Sequence, residues 1–300
     1  MRVLVNDGLS DGGIKKLRDA GYEVITDNIP QADLSSKIGE FEALVVRSAT
    51  KVRQDIIDSG IPRLKAVVRG GVGIDNIDHV YAESKGVKVM NTPAASSPSV
   101  AELALAHMFA LSRFIVPANL TMRQGEWNKK QYKGVELAGK ILGVMGIGRI
   151  GLALATKALA LGMKVVAFDP YVKSVGIDAT LTTKEDVLKS ADYISMHMPA
   201  QKDTPVIGKD EFAQVKKGVY IINCARGGVV DEEALLLALD SGQVAGAGID
   251  VFIGEPSPNE KLTNHARVSV TPHIGASTVE AQNRIGIEVA DRLIDFFGQK

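Results

Sequence analysis

Ile141-Leu142-Gly143-Val144-Met145-Gly146-Ile147-Gly148-Arg149-Ile150-Gly151 is the stretch on which the fold turns. Its first five residues read as a buried strand, and the glycine-rich turn runs directly into a helix-forming segment, Leu152 to Leu161. Each glycine has a task at a dinucleotide site: Gly146 makes the tight turn, Gly148 lets backbone approach a pyrophosphate, and Gly151 allows close packing of helix on strand. The phosphates would then sit on the positive end of the helix. A glycine triplet alone is a weak signal. Its place between strand and helix, with Asp169 closing the next strand about twenty residues on, makes it specific. Asp169 also separates two cofactors, because a carboxylate accepts from ribose hydroxyls and repels a 2′-phosphate. Pro170 and Tyr171 follow it, with no arginine beside it to neutralise such a phosphate. The expected cofactor is NAD.

Outward from this stretch the chain alternates strand and helix. Val3-Val5, Val24-Ile25, Leu44-Val46, Val67-Val68 and Val87-Met90 are short apolar runs, each continuous rather than alternating. Such runs suit parallel strands buried on both faces. Polar residues such as Ser10, Asp33 and Asp78 stand where the intervening helices would start. A helical stretch from Ser99 to about Gln124 follows, with Pro117 as its one interruption. The second series comprises Ile141-Met145, Lys164-Phe168, Tyr193-Met196, Val219-Asn223, Ala245-Asp250 and Val268-Thr271. In the last helix, Thr278 to Phe297, residues Ile285, Val289, Leu293 and Phe296 form one apolar stripe. The expected class is α/β, with two doubly wound parallel sheets.

Composition narrows the function. A chain of 300 residues, 45% hydrophobic and 23% charged, can bury two ordinary cores. Lys plus Arg and Asp plus Glu balance at 35 each, so there is no bulk field for nucleic acid or an anionic membrane. A small anionic substrate needs only a few local cations. The N-terminus enters an apolar run at once, without the regions of a signal peptide. No stretch reaches the ~18 uncharged apolar residues of a membrane span, since Val100 to Leu120 contains Glu102, His107 and Arg113. The single cysteine, Cys224, excludes an internal disulfide and a cysteine-based zinc site. A cytoplasmic enzyme without a metal is expected.

Three segments stand at the carboxyl ends of predicted strands, where ligands bind in open α/β sheets. They are Asn223-Cys224-Ala225-Arg226-Gly227-Gly228, Asp250-Val251-Phe252-Ile253-Gly254-Glu255-Pro256 and Thr271-Pro272-His273-Ile274-Gly275-Ala276-Ser277. Oxidising a hydroxyl to a carbonyl needs a base for the hydroxyl proton, a cation for a substrate carboxylate, and a group that tunes the base. His273, Arg226 and Glu255 supply that set. A carboxylate beside a histidine favours the charged ring and orients it, and arginine offers a carboxylate a bidentate fork. Taken singly, each has a structural reading: a satisfied histidine, an ion-pair partner, a solvated loop charge. Cys224 reads as a small buried hydrophobe. His197, in Ser195-Met196-His197-Met198-Pro199, reads as shaping the cofactor pocket, and His79, His107 and His265 as structural or exposed.

Over essentially its whole length the chain resembles the D-2-hydroxyacid dehydrogenase family. The motifs that carry the resemblance are Val45-Val46-Arg47-Ser48-Ala49-Thr50, Gly71-Val72-Gly73-Ile74-Asp75-Asn76-Ile77-Asp78, Asn91-Thr92-Pro93, Ala101-Glu102-Leu103, Gly146 to Gly151, Cys224 to Gly228, Asp250-Val251-Phe252 and Pro272 to Ser277. The resemblance implies a catalytic set of Arg226, Glu255 and His273. It implies an NAD site lined by Val72, Gly146, Gly148, Arg149, Ile150, Gly151, Asp169, His197, Met198, Pro199, Cys224, Ala225, Arg226, Asp250, His273, Gly275 and Ala276. Val72 falls where many relatives carry a hydroxyl, so only its amide is expected to contribute. The implied organisation is discontinuous: a flavodoxin-like substrate-binding domain, 1–95 with 276–300, and a Rossmann NAD-binding domain, 96–275.

Within the family the likeness is greatest to the branch that oxidises 3-phosphoglycerate to 3-phosphohydroxypyruvate at the start of serine biosynthesis. Arg47, Ser48, Arg69, Gly71, Val72 and Gly73, with Arg226 and His273, are then the expected substrate contacts. Arg47 and Arg69 would face the phosphate, and Lys129 and Lys130, after Trp127, would reach over from a partner subunit of a homodimer. The structural alternative for Arg47 and Arg69 is an ion pair or a solvent-facing charge. A serine-sensing C-terminal domain, frequent in that branch, is not expected. Formate dehydrogenases of this fold pair the histidine with glutamine, and Glu255 counts against that activity. Reduction of hydroxypyruvate or glyoxylate is the alternative within the family. A corepressor-like binding module that keeps the dinucleotide site is the alternative outside enzymology, disfavoured because the chain shows no long disordered tail.

Overall fold

The computed structural model describes residues 1–200 and 204–298. The chain forms two compact units, Met1–Ser96 with the segment from Ala276 onward, and Ser97–Gly275. The boundary thus falls one residue later than expected, between Ser96 and Ser97.

The first unit contains β1 (Arg2–Val5), α1 (Asp11–Asp19), β2 (Glu23–Ile25), α2 (Gln31–Lys37), β3 (Ala43–Val46), α3 (Gln54–Gly60), β4 (Ala66–Arg69), α4 (His79–Ser84) and β5 (Lys88–Asn91). Its sheet is parallel throughout, in the order β2-β1-β3-β4-β5. That is the flavodoxin-like order. Successive side chains of a strand point to opposite faces, and both faces are packed. Val3, Val5, Val45 and Val68 share one core with Leu17, while Leu4, Leu44, Val46 and Val67 share the other with Leu34, Ile56 and Ile57.

The second unit comprises α5 (Ser97–Ser112), α6 (Ile115–Arg123), β6 (Ile141–Met145), α7 (Arg149–Ala160), β7 (Lys164–Phe168), β8 (Ala179–Leu181), α8 (Lys184–Ser190), β9 (Tyr193–Met196), α9 (Lys209–Phe212), β10 (Val219–Asn223), α10 (Glu232–Asp240), β11 (Val244–Ile249), α11 (Glu260–Thr263) and β12 (Val268–Val270). Its sheet is a parallel array of seven strands, ordered β12-β11-β10-β9-β6-β7-β8. Strand order reverses between β6 and β9. This is the switch point at which doubly wound sheets bind ligands. The chain then returns to the first unit through α12 (Val279–Gly298), whose buried Ile285, Val289 and Leu293 complete the core around Val3, Val5 and Val68. Each such side chain contributes roughly 1.5–3 kcal/mol.

Three local expectations need correction. The long helix breaks at Arg113-Phe114, where Phe114 adopts left-handed backbone with φ 54°. Pro117 instead sits in the first turn of α6, where a missing amide hydrogen is tolerated. Ser10 does cap α1, accepting from the Gly13 amide. Asp33 lies inside the first turn of α2, behind an N-cap at Pro30. Asp78 is at the N-cap of α4 but makes no capping bond, its carboxylate being paired with Arg53 at 2.9 Å. Among the described residues, no single helix is long and apolar enough to cross a membrane.

Candidate functional site

The turn after β6 is held by the Gly146 amide, which donates to Phe168 O at 2.8 Å. Gly146 has φ 92°, and a Cβ there would lie 2.8 Å from both His197 O and the Met198 side chain. A Cβ on Gly151 would lie 2.1 Å from Gly146 O, so this glycine lets α7 press onto the turn. Gly148 differs: nothing stands within 4 Å of where its Cβ would be, and it heads α7 with no side-chain cap. The first amides of a helix have no partner inside it. An open cradle beside uncapped amides suits the pyrophosphate of a dinucleotide, and Arg149 and Ile150 follow at its edge.

Asp169 closes β7 beside this turn. Its Oδ2 accepts from the Ile147 amide at 3.0 Å, and its Oδ1 from Tyr171 and Val172 amides at 2.9 and 3.2 Å. Three bonds leave one lone-pair site on the carboxylate, which suits a ribose hydroxyl. On the other side of the switch point, β9 delivers His197, Met198 and Pro199. The His197 Nε2 is 2.9 Å from Ser195 Oγ, while Nδ1 is buried without a partner. Burial pushes the imidazole pKa down to about 4, so the ring is neutral.

After β10, the Asn223 side chain organises the turn. It donates to Arg226 O at 3.0 Å and accepts from the Ala225 amide at 3.1 Å. Cys224 is buried, and burial pushes its thiol pKa up. At Gly227 a Cβ would meet Phe252 O at 2.1 Å, so the Arg226 turn lies directly against the loop that carries Glu255. In that loop Glu255 Oε1 accepts from the Phe252 amide at 2.9 Å, which frees Oε2 to meet His273 Nδ1 at 2.7 Å. Because a carboxylate only accepts, His273 Nδ1 carries the hydrogen and Nε2 is the ring's free face.

His273 itself is strained, with φ 54°. Left-handed backbone costs an L-residue about 1–2 kcal/mol. Asp250 opposes that cost: its O accepts from the His273 amide at 2.8 Å, Oδ1 from Ile274 at 2.8 Å and Oδ2 from Gly275 at 2.9 Å. Asp250 is 1% exposed, and its carboxylate serves the backbone of this loop.

Within the first unit, Val46 pairs with Arg69 in the sheet, so Arg47 and Arg69 stand at neighbouring strand ends. Asp7 Oδ2 accepts from the Arg47 amide at 2.7 Å, and Asn76 donates to Arg47 O at 2.8 Å. The Arg47 guanidinium is half-buried and bonded to Gln282 Oε1 of α12. Burial lowers its pKa, with the charge of Asp7 opposing. Ser48 is exposed. Arg69 packs over Gly71, where a Cβ would lie 2.3 Å from Nη1, and Val72 O accepts from Asn91 at 2.5 Å. Gly73 is partly buried beside it. Of the residues expected around NAD, Val72 and Ala276 belong to this unit and the others to the second. Sequence reasoning missed Asp7, Asn76, Gln282 and Thr271, which act through partners distant in sequence.

The profile described as D-isomer specific 2-hydroxyacid dehydrogenase, NAD binding domain, matches residues 105–275. The chain belongs to the D-2-hydroxyacid dehydrogenase family, and its second unit carries the family's NAD-binding domain. A hydroxypyruvate reductase of Thermotoga maritima is 45% identical over 99% of this chain and 98% of that protein. A D-3-phosphoglycerate dehydrogenase of Bacillus subtilis is 44% identical over 98% of this chain, which spans 57% of that protein. Among solved structures, a glyoxylate reductase from Paecilomyes thermophila superposes with a TM-score of 0.89 at 28% identity, covering 98% of this chain and 94% of that one. D-lactate dehydrogenase of Aquifex aeolicus, solved with NAD and lactic acid, gives 0.83 at 30% identity, covering 100% and 96%.

Proposed function

We propose that the chain oxidises D-2-hydroxy acids, and reduces the matching 2-keto acids, with His273 as acid–base, Glu255 as its partner and Arg226 as the substrate's carboxylate clamp. The 2.7 Å pairing of Glu255 with His273 carries this reading, because it leaves Nε2 as the atom that takes the proton. When bound, NAD supplies the hydride acceptor. The 2-hydroxyl proton passes to His273 Nε2 as C2 gives up its hydride, leaving a keto acid and a charged ring beside Glu255. Gly146 to Gly151 and Asp169 hold the pyrophosphate and ribose, with His197 to Pro199, Cys224, Ala225, Asp250, Gly275 and Ala276 around them. NAD use and the family suit an enzyme of the cytoplasm.

For the substrate we propose 3-phospho-D-glycerate, with Arg47 and Arg69 holding the phosphate and Ser48 and Gly71 to Gly73 the remaining contacts. Two arginines on neighbouring strand ends support it. A reductase of hydroxypyruvate or glyoxylate is the second reading, favoured by the bond that already engages Arg47 with Gln282. The Thermotoga hydroxypyruvate reductase, 45% identical, and the Bacillus D-3-phosphoglycerate dehydrogenase, 44% identical, support the two readings about equally. Initial rates with NADH on 3-phosphohydroxypyruvate, hydroxypyruvate, glyoxylate and pyruvate decide between them. If Arg47 holds phosphate, Arg47→Ala lowers kcat/KM about 10- to 150-fold more on the phosphorylated acid than on hydroxypyruvate. Equal losses would assign Arg47 to structure.

We also propose a homodimer. No residue of α6 is buried, and Ile115, Val116, Leu120 and Met122 are exposed on or beside it, with Trp127 beyond. An apolar face of this kind suits a partner subunit. Sedimentation velocity of wild type and Leu120→Lys tests it, the variant being expected as a monomer.

A further inference from the structure

His107, on α5, is 2% exposed in the core of the second unit. An imidazole buried there without partners would be a liability, yet this one has two. Its Nδ1 is 2.9 Å from Ser269 Oγ and its Nε2 is 3.1 Å from Thr271 Oγ1. Thr271 Oγ1 in turn donates to Asp250 Oδ1 at 2.6 Å. The direction of this chain is forced. The Thr271 hydroxyl gives its single hydrogen to a carboxylate that can only accept, so it must itself accept from His107 Nε2–H. In the neutral ring His107 Nδ1 then accepts from the Ser269 hydroxyl. Burial lowers the pKa of His107, against an opposing pull from Asp250, which favours that neutral form.

The far end of the chain is the loop that carries His273, since the same Asp250 carboxylate accepts from the Ile274 and Gly275 amides. The neighbouring strand is shaped to admit the ring. A Cβ on Gly248 of β11 would lie 2.5 Å from the His107 Cβ, so the histidine's seat exists only because that side chain is missing.

We propose that His107 is a positioning residue: the chain Ser269–His107–Thr271–Asp250 anchors residues 273–275 and thereby sets where His273 Nε2 stands. This deepens the dehydrogenase reading and rests on it for its kinetic consequence. The test compares wild type with His107→Leu, His107→Gln, Thr271→Val and the Leu–Val double variant. Steady-state kinetics with NADH and the keto acid that wild type reduces best are measured at a temperature where each variant is folded. Amide hydrogen exchange at residues 273–275 is followed in parallel. His107→Leu is expected to lose roughly ten- to a hundredfold in kcat with little change in KM, and its 274 and 275 amides to exchange faster. Thr271→Val should do the same, the double variant should be no worse than either, and His107→Gln, which still donates and accepts, should recover most of the loss. A His107→Leu enzyme with wild-type kcat and exchange, merely less heat-stable, overturns the proposal. Should that variant fail to fold, wild-type kcat and exchange in Thr271→Val overturn it equally. If wild type reduces no 2-keto acid, the dehydrogenase reading fails, while the exchange comparison still decides the positioning.

Discussion

The turn after β6 and the turn after β12 leave the same sheet, and both pass through left-handed backbone, at Gly146 with φ 92° and at His273 with φ 54°. Both are also tied by an aspartate that accepts backbone amides, Asp169 in the first and Asp250 in the second. The difference lies in the residue at the bend. Glycine reaches the conformation without steric penalty and contributes no side chain. That is enough where the bend has only to turn tightly against His197 and Met198. Histidine reaches it only under constraint, and on the function proposed above the constraint is kept because the ring is the acid–base. A position that must be both bent and reactive therefore shifts its sequence requirement onto its neighbours.

The comparison can be broken most severely at the histidine bend. His273→Ala is expected to lower kcat by ~10²–10⁴-fold while NADH binding, followed by fluorescence, stays near wild type. Loss of NADH binding to the same degree would make the second turn a binding element like the first.

Acid should act on the other side. His197, whose backbone carbonyl abuts Gly146, has its pKa pushed down to about 4, whereas an unfolded histidine titrates near ~6.5. The unfolded chain therefore takes the proton first. Stability present above pH ~6.5 is lost as the pH falls toward about 4, by at most about 3 kcal/mol. Urea unfolding at pH 7.5 and 4.5 should show His197→Gln losing this part of the pH dependence. His107, also lowered by burial, is present in both proteins and cancels. Equal acid sensitivity in the two would assign the loss elsewhere.

Asp169→Ala removes an acceptor of three amides beside the glycine turn. It should weaken NAD binding by roughly 1.5–3 kcal/mol and narrow the preference over NADP, measured as kcat/KM with each cofactor. A wild type that prefers NADP would reverse the reading of Asp169. The smallest effect isolates the bend itself. His273→Gly should be more stable than His273→Ala by about 1 kcal/mol, although both lack the ring and both are expected to lose the same share of turnover. Two variants of equal stability would mean that the bend at 273 is relaxed rather than held.

Strands are legible in the sequence where a β-branched or apolar run is buried on both faces, as with Leu44-Val46 or Ile141-Met145. Ala179–Leu181 escapes, because this edge strand has no buried residue and no β-branched apolar pair such as Val268 and Val270 of β12. The break before α6 escapes too. Proline in a first turn disrupts little, and a left-handed phenylalanine has no signature of its own. Motifs name Arg226, Glu255 and His273 because each stands in a distinctive local string. What holds those residues is harder to see: Thr271 and Asp250 are 21 residues apart, and His107 and Thr271 are 164 apart. His107 read simply as a structural histidine, since nothing in its neighbourhood along the chain announces a hydroxyl partner. Gln282 meets Arg47 across 235 residues, and no local pattern in the sequence points to that bond.

The return of α12 to the first unit has a consequence for how the molecule is made. A ribosome releases β1 to β5 before the second unit, yet Ile285, Val289 and Leu293, which complete the core around Val3, Val5 and Val68, are synthesised only after it. During that interval the second unit emerges as one contiguous segment, and domains generally fold as units as they emerge. The early sheet waits meanwhile with one apolar face only partly covered, by α1. Transiently exposed surface of that kind draws chaperones and invites aggregation. The first unit is begun before the second and finished after it.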